Sequence, residues 1–542
     1  MKIEYIDQQL LKKMIIAGAQ SLEAHKEIVN SLNVFPVPDG DTGTNMALTM
    51  KSAVKEVKST EGNSLDDLAN AAANGSLMGA RGNSGVILSQ LFRGFAKSVQ
   101  GKNHLNTVDL AEALKSGSDT AYKAVMKPVE GTILTVARES AEKAIEIAAT
   151  EKDMVVFIEK VIEEAGNTLE RTPDMLQVLK EAGVVDSGGK GLLYIYKGAL
   201  AALTGKTIIV EDEDIAQQTY IHEDEAQGQL EFGYCTEFII KSKEVDIEAF
   251  KSTIKGYGDS MLAVGNENIV KVHIHTNHPG EVMEHALKLG QLSDIKIDNM
   301  RLQHRHQLME QDTDTNKVDA KSRLKPYGFI TVAMGEGLSK IFKDFQVDHV
   351  IEGGQTMNPS TQDFVEAIEN INAETVFIMP NNSNIIMAAN QAKDLSAKNI
   401  LVIPTKTIPQ GISALLAFNN ESTPEENYEE MLEAITHVRT GQITYAVRDT
   451  SFNEMTINEG DIIGIGEKEI KSVGQDMMTV SLELLDKIVE DDTEMITVFY
   501  GQDVTEKEAN QIVQRLEAIY GDLDIEIYYG GQPLYYYIFS VE

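Results

Sequence analysis

Residues 33–46 read NVFPVPDGDTGTNM, and this stretch is the most informative segment of the chain. Two prolines stiffen its start, and Asp39 and Asp41 then flank a single glycine just before a predicted helix. Alternate aspartates on an extended loop can direct both carboxylates at one place, where their repulsion favours a divalent cation between them. Mg²⁺ prefers such oxygen ligands, and the unpaired N–H groups of a helix start bind phosphate. The alternative is a β-turn with aspartate caps, because D-G and T-G are common turn dipeptides.

A second glycine loop, GARGNSGV, occupies residues 79–86 between two predicted helices. Gly82 and Gly85 allow the backbone to approach a ligand closely. Asn83, Ser84 and the first N–H groups of the following helix would form a second anion site. The loop is not a P-loop, since the lysine after the last glycine is missing. Taken alone, it is equally well explained as an ordinary helix cap.

Residues 1–205 show the apolar periodicity of helices and little β-branched alternation. The stretches with this periodicity include 64–79, 84–99, 107–126, 131–150, 154–171 and 189–204. The prolines of this region are expected to lie between the helices, at Pro36, Pro38, Pro128 and Pro173. We therefore predict a helical bundle or barrel. If its loops gather at one end, they can line a nucleotide pocket.

The rest of the chain predicts mixed structure in two further domains. Polar, aperiodic segments at 204–231 and 310–326 are interpreted as linkers. Residues 232–309 predict a β-α-β-β-α-β order, that of a small ferredoxin-like α+β module. From residue 327 to 542 strands and helices alternate, which predicts a largely parallel α/β domain with a final strand–helix–strand–strand unit packed on it. The expected multidomain chain thus has an all-α region at 5–203, the α+β module and the α/β domain.

Composition excludes several classes of function. The 542 residues include 48 basic and 84 acidic side chains, so the formal charge is 48 − 84 = −36. Such a chain repels nucleic acid and anionic membrane surfaces at long range. Cys235 is the only cysteine, so no intrachain disulfide can form. The N-terminus lacks the pattern of a signal peptide and no apolar run is long enough to span a membrane, so we expect a cytoplasmic protein without an integral membrane segment.

Four motifs in this order resemble the nucleotide-binding domain of dihydroxyacetone kinases over residues 5–203. They are PVPDGDTGTNM at 36–46, MGARGNSGVILSQLFRG at 78–94, MKPVEGTILTV at 126–136 and VVDSGGKGLL at 184–193. That family fold is an eight-helix barrel that holds ATP through two magnesium ions at one end. The whole chain is similar to the catalytic component of bacterial fatty acid kinases, with a C-terminal domain similar to the DegV family of fatty-acid-binding proteins.

The resemblance implies a role for each motif. Asp39 and Asp41 would bind the two Mg²⁺ ions and act in catalysis. The related kinases use three aspartates, and here no third one precedes Asp39, so that Asn33 is the nearest polar candidate. The residues implied to bind ATP or ADP are Thr42, Thr44, Asn45, Asn83, Ser84, Gly85, Thr132 and Asp186. Because two anions must meet during transfer, a charge-neutralising group is needed, for which Arg81 and Arg138 are candidates.

The middle module contains a candidate zinc site. In the motif KVHIHT, His273 and His275 would share one face of a strand. The first and third strands of a β-α-β-β-α-β sheet are adjacent, so Cys235 could reach both histidines, and this ligand set suits Zn²⁺. The alternative is two surface histidines and a buried free cysteine. The resemblance implies zinc on a matching cysteine and H-x-H pair.

The resemblance also implies an acceptor and partners. The acceptor would be a fatty acid presented by a separate fatty-acid-binding protein of the DegV family, and the product an acyl phosphate for phospholipid synthesis. The motif GGQTMNPSTQDF at 353–364 resembles those carriers, which suggests docking or dimerisation, and we expect a homodimer. Two other hypotheses remain: a kinase for a small metabolite such as dihydroxyacetone, and a non-catalytic nucleotide-binding scaffold.

Overall fold

The computed structural model describes most of the chain. The described residues are 2–33, 40–60, 64–125, 127–205, 234–241, 250, 253–254, 256–265, 269–299, 324–354, 357–446, 450–452, 455–466 and 469–542. Their contacts define two compact units, one of residues 1–216 with 324–542 and the other of residues 217–323. The domain boundaries expected from the sequence stay predictions.

The N-terminal region of the first unit is helical, as predicted. Its helices are α1 (Gln8–Ala24), α2 (Lys26–Ser31), α3 (Thr42–Ser59), α4 (Leu65–Met78), α5 (Gly82–Ser98), α6 (Thr107–Ala124), α7 (Ile133–Ala148), α8 (Met154–Met175), α9 (Gln177–Ala182) and α10 (Ser187–Thr204). Among these described helices, all but α2 and α9 are long, each long helix packs on the next, and α10 returns to pack on α1. Glycine permits that closing contact, because a Cβ at Gly198 would overlap the carbonyl oxygen of Ala17.

The expectation that Pro173 lies between helices is wrong, because Pro173 lies inside the last turn of α8. A proline there cannot donate a hydrogen bond to the carbonyl of the residue four positions earlier, which is Leu169. The hydroxyl of Thr172 replaces that donor, at 2.7 Å from the Leu169 oxygen. This local compensation lets the helix continue to Met175.

The second unit contains a four-stranded antiparallel sheet. Its described elements are β1 (Tyr234–Lys241), β2 (Gly258–Gly265), β3 (Ile269–Thr276), α11 (Pro279–Leu287) and β4 (Gln291–Asn299). The strand order is β2-β3-β1-β4, so the predicted adjacency of the first and third strands is confirmed. Alternate residues Val270, Val272 and Ile274 are buried with Val282 and Ala286 of α11. Most of the helix predicted between β1 and β2 lies outside the described residues.

The C-terminal region of the first unit carries two main sheets. Its elements are β5 (Lys325–Ala333), α12 (Glu336–Asp344), β6 (His349–Glu352), α13 (Thr361–Asn370), β7 (Ala373–Met379), α14 (Ile386–Leu395), β8 (Asn399–Val402), α15 (Ile408–Ala417), α16 (Pro424–Ala434), β9 (Arg439–Tyr445), β10 (Thr450–Phe452), β11 (Met455–Ile457), β12 (Ile462–Gly466), β13 (Glu469–Gly474), α17 (Met477–Leu485), β14 (Met495–Tyr500), α18 (Glu506–Ile519), β15 (Asp524–Tyr529) and β16 (Tyr537–Val541). Strands β6-β5-β7-β8 form a parallel sheet, as the sequence predicts. The other sheet, β13-β12-β9-β16-β14-β15, is mixed, since only β14 and β15 pair in parallel.

The helical region packs on the carboxyl edge of the parallel sheet. Ala80, just before α5, and Val86, near its amino end, are buried in the same apolar core as Phe364 and Ile385. The loops that follow β6 and β7 therefore lie against the amino end of α5. In the described part of the chain, we find no helix that combines the length and the apolarity needed to cross a bilayer.

Candidate nucleotide site

The amino ends of α3, α5, α7 and α10 lie at one end of the helical region. A Cβ at Gly82, the first residue of α5, would lie 2.7 Å from the side-chain nitrogen of Asn45 in α3. A Cβ at Gly188, in the first turn of α10, would lie 3.1 Å from the Cβ of Ile133, the first residue of α7. A Cβ at Gly191 in α10 would lie 2.7 Å from the sulfur of Met46 in α3. Helix amino ends carry unpaired N–H groups and partial positive charge, so their convergence favours an anion such as a polyphosphate.

Asp41 precedes α3 and is only 7% exposed. Its Oδ1 accepts a long hydrogen bond of 3.4 Å from Asn33, and its Oδ2 accepts one of 2.6 Å from Asn358. Burial raises the pKa of Asp41, while hydrogen bonds from the side chains of Asn45 and Asn358 act in the opposite direction. Asp39 lies outside the described residues, so its pairing with Asp41 stays a prediction.

The first turn of α3 contains the predicted phosphate ligands. Thr42 and Asn45 are buried, and the N–H of Asn45 closes the first helical turn on the Asp41 carbonyl at 2.8 Å. Thr44 is held by Asn30 of α2, which accepts from the Thr44 N–H at 3.0 Å and donates to its hydroxyl at 3.1 Å. Sequence reasoning missed Asn30, because α2 is too short to give a periodic signal.

The second glycine loop lies beside this turn. Gly82 has a φ of 57°, a conformation that favours glycine. Asn83 donates to Asn384 of the C-terminal region at 3.2 Å, whereas its own Oδ1 is buried and has no hydrogen-bond partner among the described residues. Ser84 is half-buried in the first turn of α5. A Cβ at Gly85 would overlap the Thr49 hydroxyl, so α3 and α5 approach closely here.

Thr132 and Asp186 begin the other two helices. Thr132 caps α7, accepting from the Leu134 N–H and donating to the Val129 carbonyl at 2.8 Å. Asp186 accepts from the Gly189 N–H at 2.7 Å, and burial raises its pKa to about 6. Ile133, which follows Thr132, lies against the first turn of α10 near Gly188, so the structure brings these two predicted residues to the same end of the helical region.

The two candidate arginines differ in their surroundings. Arg138 contacts Glu130, Glu139 and Glu142, at distances of 3.0 to 3.4 Å, so its charge is already balanced by carboxylates. Arg81 lies at the start of α5, where its Nη1 donates to the carbonyl of Asn358 at 2.7 Å. Arg81 also lies 3.7 Å from Asp363. Arg81 is therefore the candidate that borders the Asp41 site.

This end of the structure fits a magnesium-bound nucleotide. Carboxylate and amide oxygens are ligands that Mg²⁺ accepts, and the ion usually keeps several waters. Two buried amide oxygens beside Asp41 and α5, those of Asn83 and Asn358, have no hydrogen-bond partner in the part of the chain that the structure describes. Native structures rarely leave such atoms unpaired unless a ligand or water satisfies them. The water molecules of a hydrated cation would supply the missing donors.

The middle module supports only part of the zinc prediction. Cys235 in β1 is the Cα partner of His275 in β3, and Glu237 is the partner of His273. The strand register thus places Cys235 and His275 opposite each other. The side chains of Cys235, His273 and His275 lie outside the described part of the structure, so zinc binding stays a prediction.

Comparison with known proteins identifies all three regions. Residues 36–201 match the DAK2 domain family. Residues 231–307 match the middle domain of the FakA-like family of fatty acid kinases, and residues 328–542 match the C-terminal domain of that family. Among solved structures, the dihydroxyacetone kinase from C. freundii in complex with AMP-PNP and Mg²⁺ is similar at 20% identity and a TM-score of 0.29. That match covers 36% of this chain and 34% of the other.

Two relatives match from end to end. Protein YloV of Bacillus subtilis is 46% identical over 557 residues, with 100% of both chains covered. The uncharacterized protein SAR1202 of Staphylococcus aureus is 44% identical over 551 residues, again with 100% of both chains covered. Together with the matched domains, which cover more than half of the sequence, these likenesses show that the chain belongs to the FakA-like family of fatty acid kinases, with a DAK2 domain in its helical region.

Proposed function

We propose that the protein transfers the γ-phosphoryl group of ATP to the carboxylate of a fatty acid, with an acyl phosphate and ADP as products. The observation that carries this proposal is the meeting of four helix amino ends at the end of the helical region that contains the buried Asp41 carboxylate. Membership of a fatty acid kinase family supports the choice of acceptor. We include in the proposal that the ring of long helices is an eight-helix barrel of the dihydroxyacetone kinase kind.

The chain's own groups would bind and orient the substrates. Asp41, with Asp39, would hold two Mg²⁺ ions, and Asn33 is the candidate for a further ligand. The N–H groups at the starts of α3 and α5 would cradle the phosphates together with the side chains of Thr42, Thr44, Asn45, Asn83 and Ser84. When bound, the magnesium ions neutralise the charge that develops on the transferring group.

No strong general base is needed for this reaction. A fatty acid carboxylate is already ionised at neutral pH, so its oxygen can attack the γ-phosphorus directly while the bond from that phosphorus to the bridging oxygen of ADP breaks. The remaining difficulty is electrostatic, because two anions must approach each other. Arg81 borders the site and would offset part of that repulsion.

The finer features of the assembly belong to the same proposal. A DegV-family fatty-acid-binding protein would present the acceptor, and the chain would act as a homodimer in the cytoplasm. Cys235, His273 and His275 would bind Zn²⁺ in the middle module, a site for which the register of Cys235 opposite His275 is the structural support. Measurement of zinc content in the wild type and in His275→Ala tests this part separately.

The test of the proposal is transfer of label from γ-labelled ATP. The purified chain is incubated with Mg²⁺ and oleate, with and without a DegV-family carrier, and dihydroxyacetone serves as a second acceptor. We expect labelled acyl phosphate only when the carrier is present, and no transfer by Asp41→Asn. Transfer to dihydroxyacetone without a carrier would instead identify a small-metabolite kinase, and nucleotide binding without any transfer would identify a scaffold.

A further inference from the structure

The side chain that makes the short hydrogen bond to Asp41 comes from the C-terminal α/β region. Asn358 lies in the loop between β6 and α13, more than 300 residues further along the chain. Its Nδ2 donates to Asp41 Oδ2 at 2.6 Å, and Asn358 is only 2% exposed. The contact therefore joins two regions of the first unit at a carboxylate expected to bind metal.

The backbone around Asn358 is fixed to the helical region by independent contacts. Its carbonyl accepts from Arg81 at 2.7 Å. Ser360 forms a β-bridge with Arg81, and the N–H of Thr361 donates to the carbonyl of Ala80 at 3.2 Å. Ala80 itself is fully buried in the core of the α/β region. Asn358 is thus held against Asp41 by several contacts with the helical region.

Asn358 lies at the carboxyl edge of the parallel sheet, which is the edge where open α/β sheets bind ligands. In parallel α/β sheets, ligands bind beyond the carboxyl ends of the strands, near the point where the strand order reverses. In the order β6-β5-β7-β8, that point lies beside β5. Asn358 follows β6 and Asn382 follows β7, and each has a buried side-chain atom, Oδ1 and Nδ2 respectively, that finds no hydrogen-bond partner within the described ranges. The edge therefore faces the nucleotide end with unsatisfied polar groups.

From these contacts we propose that Asn358 is a positioning residue of the kinase site, which orients the Asp41 carboxylate for its metal ion across the junction. This inference rests on the proposed function. A carboxylate oxygen has lone pairs enough to accept the Asn358 amide while the group binds a cation. Hydrogen bonds of this kind from outside the coordination sphere orient metal ligands, and their loss commonly weakens metal binding about 10–100-fold. The unpaired Asn358 Oδ1 would accept from a metal-bound water.

Two substitutions distinguish a role of Asn358 in orienting Asp41 from a role that only holds the two regions together. Asn358→Ala removes the bond to Asp41. Gln391→Ala is the matched control, because Gln391 also joins the two regions. Its side chain donates to the Ser89 hydroxyl of α5 at 3.3 Å and accepts from the Thr361 hydroxyl, and neither hydrogen bond involves Asp41. We would measure free Mn²⁺ by electron paramagnetic resonance during titration of each full-length protein in the presence of ADP, with Mn²⁺ in place of Mg²⁺.

We expect Asn358→Ala to bind Mn²⁺ about 10–100-fold more weakly than the wild type and Gln391→Ala to bind it as the wild type does. In the transfer assay, Asn358→Ala should need more Mg²⁺ for half-maximal rate but reach the wild-type kcat at saturation, which a collapsed site would not do. Equal Mn²⁺ affinity of Asn358→Ala and wild type, or equal weakening in both variants, would overturn the inference. Absence of metal and nucleotide binding in the wild type would instead refute the proposed function.

A measurement on the wild type keeps the inference testable if Asn358→Ala does not fold. Thermodynamic coupling is reciprocal. If the contact of Asn358 with Asp41 strengthens metal binding by some factor, then bound metal and nucleotide must stabilise that contact by the same factor. Hydrogen exchange at residues 357–361 should therefore slow when Mg²⁺ and ADP are added together. Unchanged exchange in this segment, with nucleotide bound, would overturn the inference.

Discussion

Replacement of Thr172 by valine tests how the loop before α10 is held. The Thr172 side chain is fully buried, and its hydroxyl serves two backbone groups. It donates to the Leu169 carbonyl at 2.7 Å, which Pro173 cannot do, and it accepts from the Asp186 N–H at 3.0 Å. Valine has nearly the same shape and neither hydrogen-bonding function.

The expected loss follows from these two contacts. Each buried backbone group left without a partner costs about 1–3 kcal/mol, so Thr172→Val should destabilise the fold by about 2–6 kcal/mol. Thr172→Ser is the matched control, since it keeps the hydroxyl and loses one methyl group, worth about 1 kcal/mol. At roughly 2–4 °C per kcal/mol for a domain of this size, valine should lower Tm by roughly 5–20 °C and serine by only a few degrees.

Thermal unfolding followed by circular dichroism at 222 nm measures both variants, since the region is helical. Calorimetric titration with Mg·ADP in the same samples shows whether the displaced Asp186 turn also weakens nucleotide binding. We expect the Thr172→Val variant to be clearly less stable than the Thr172→Ser variant. A valine variant as stable as the serine variant would show that Thr172 does not compensate for Pro173.

Two further predictions concern other parts of the same end. Burial raises the pKa of Asp186 from 3.8 to about 6. The Asp186 carboxyl therefore contributes most to the free energy of unfolding below pH 4, where it is protonated, and this contribution is lost as pH rises to 6. Asp186→Asn should therefore be more stable to unfolding than the wild type by up to about 3 kcal/mol at pH 7 and no more stable at pH 4. Thermal unfolding at both pH values measures this difference. A difference in stability that does not change with pH would contradict the prediction. A Cβ at Gly43 would overlap the Lys26 carbonyl oxygen, so Gly43→Ala should destabilise by about 1–3 kcal/mol and weaken Mg·ADP binding. The control is Gly166→Ala in α8, where a Cβ meets nothing within 4 Å, and equal behaviour of the two alanine variants would refute the clash.

Sequence periodicity predicted the long helices and the parallel strands well, because both bury continuous apolar faces. The stretch 107–126, for example, became α6 (Thr107–Ala124) with Asn106 as its cap. The short helices α2 and α9 were not predicted, since six residues do not define a period. The antiparallel strands between residues 439 and 474 were also missed, and one of them, β9, pairs with the distant strand β16.

The sequence motifs located the glycine loops, but not what surrounds them. Thr44, Asn45 and Asn83 lie at helix starts, as the sequence predicted. The residues that hydrogen-bond to Thr44 and Asn83, which are Asn30 and Asn384, had no sequence signal. Asn358 lies within the quoted motif GGQTMNPSTQDF, which was interpreted through its likeness to carrier proteins. No local pattern could place it against Asp41, because that contact depends on how two regions pack.

The most direct test of the nucleotide site is a calorimetric titration of ADP into the full-length chain, with and without Mg²⁺, for the wild type and Asp41→Asn. We expect the wild type to bind ADP in a Mg²⁺-dependent manner and Asp41→Asn to bind it roughly 100-fold or more weakly, a larger loss than is usual for a group outside the coordination sphere. Binding of equal affinity in both proteins would contradict it.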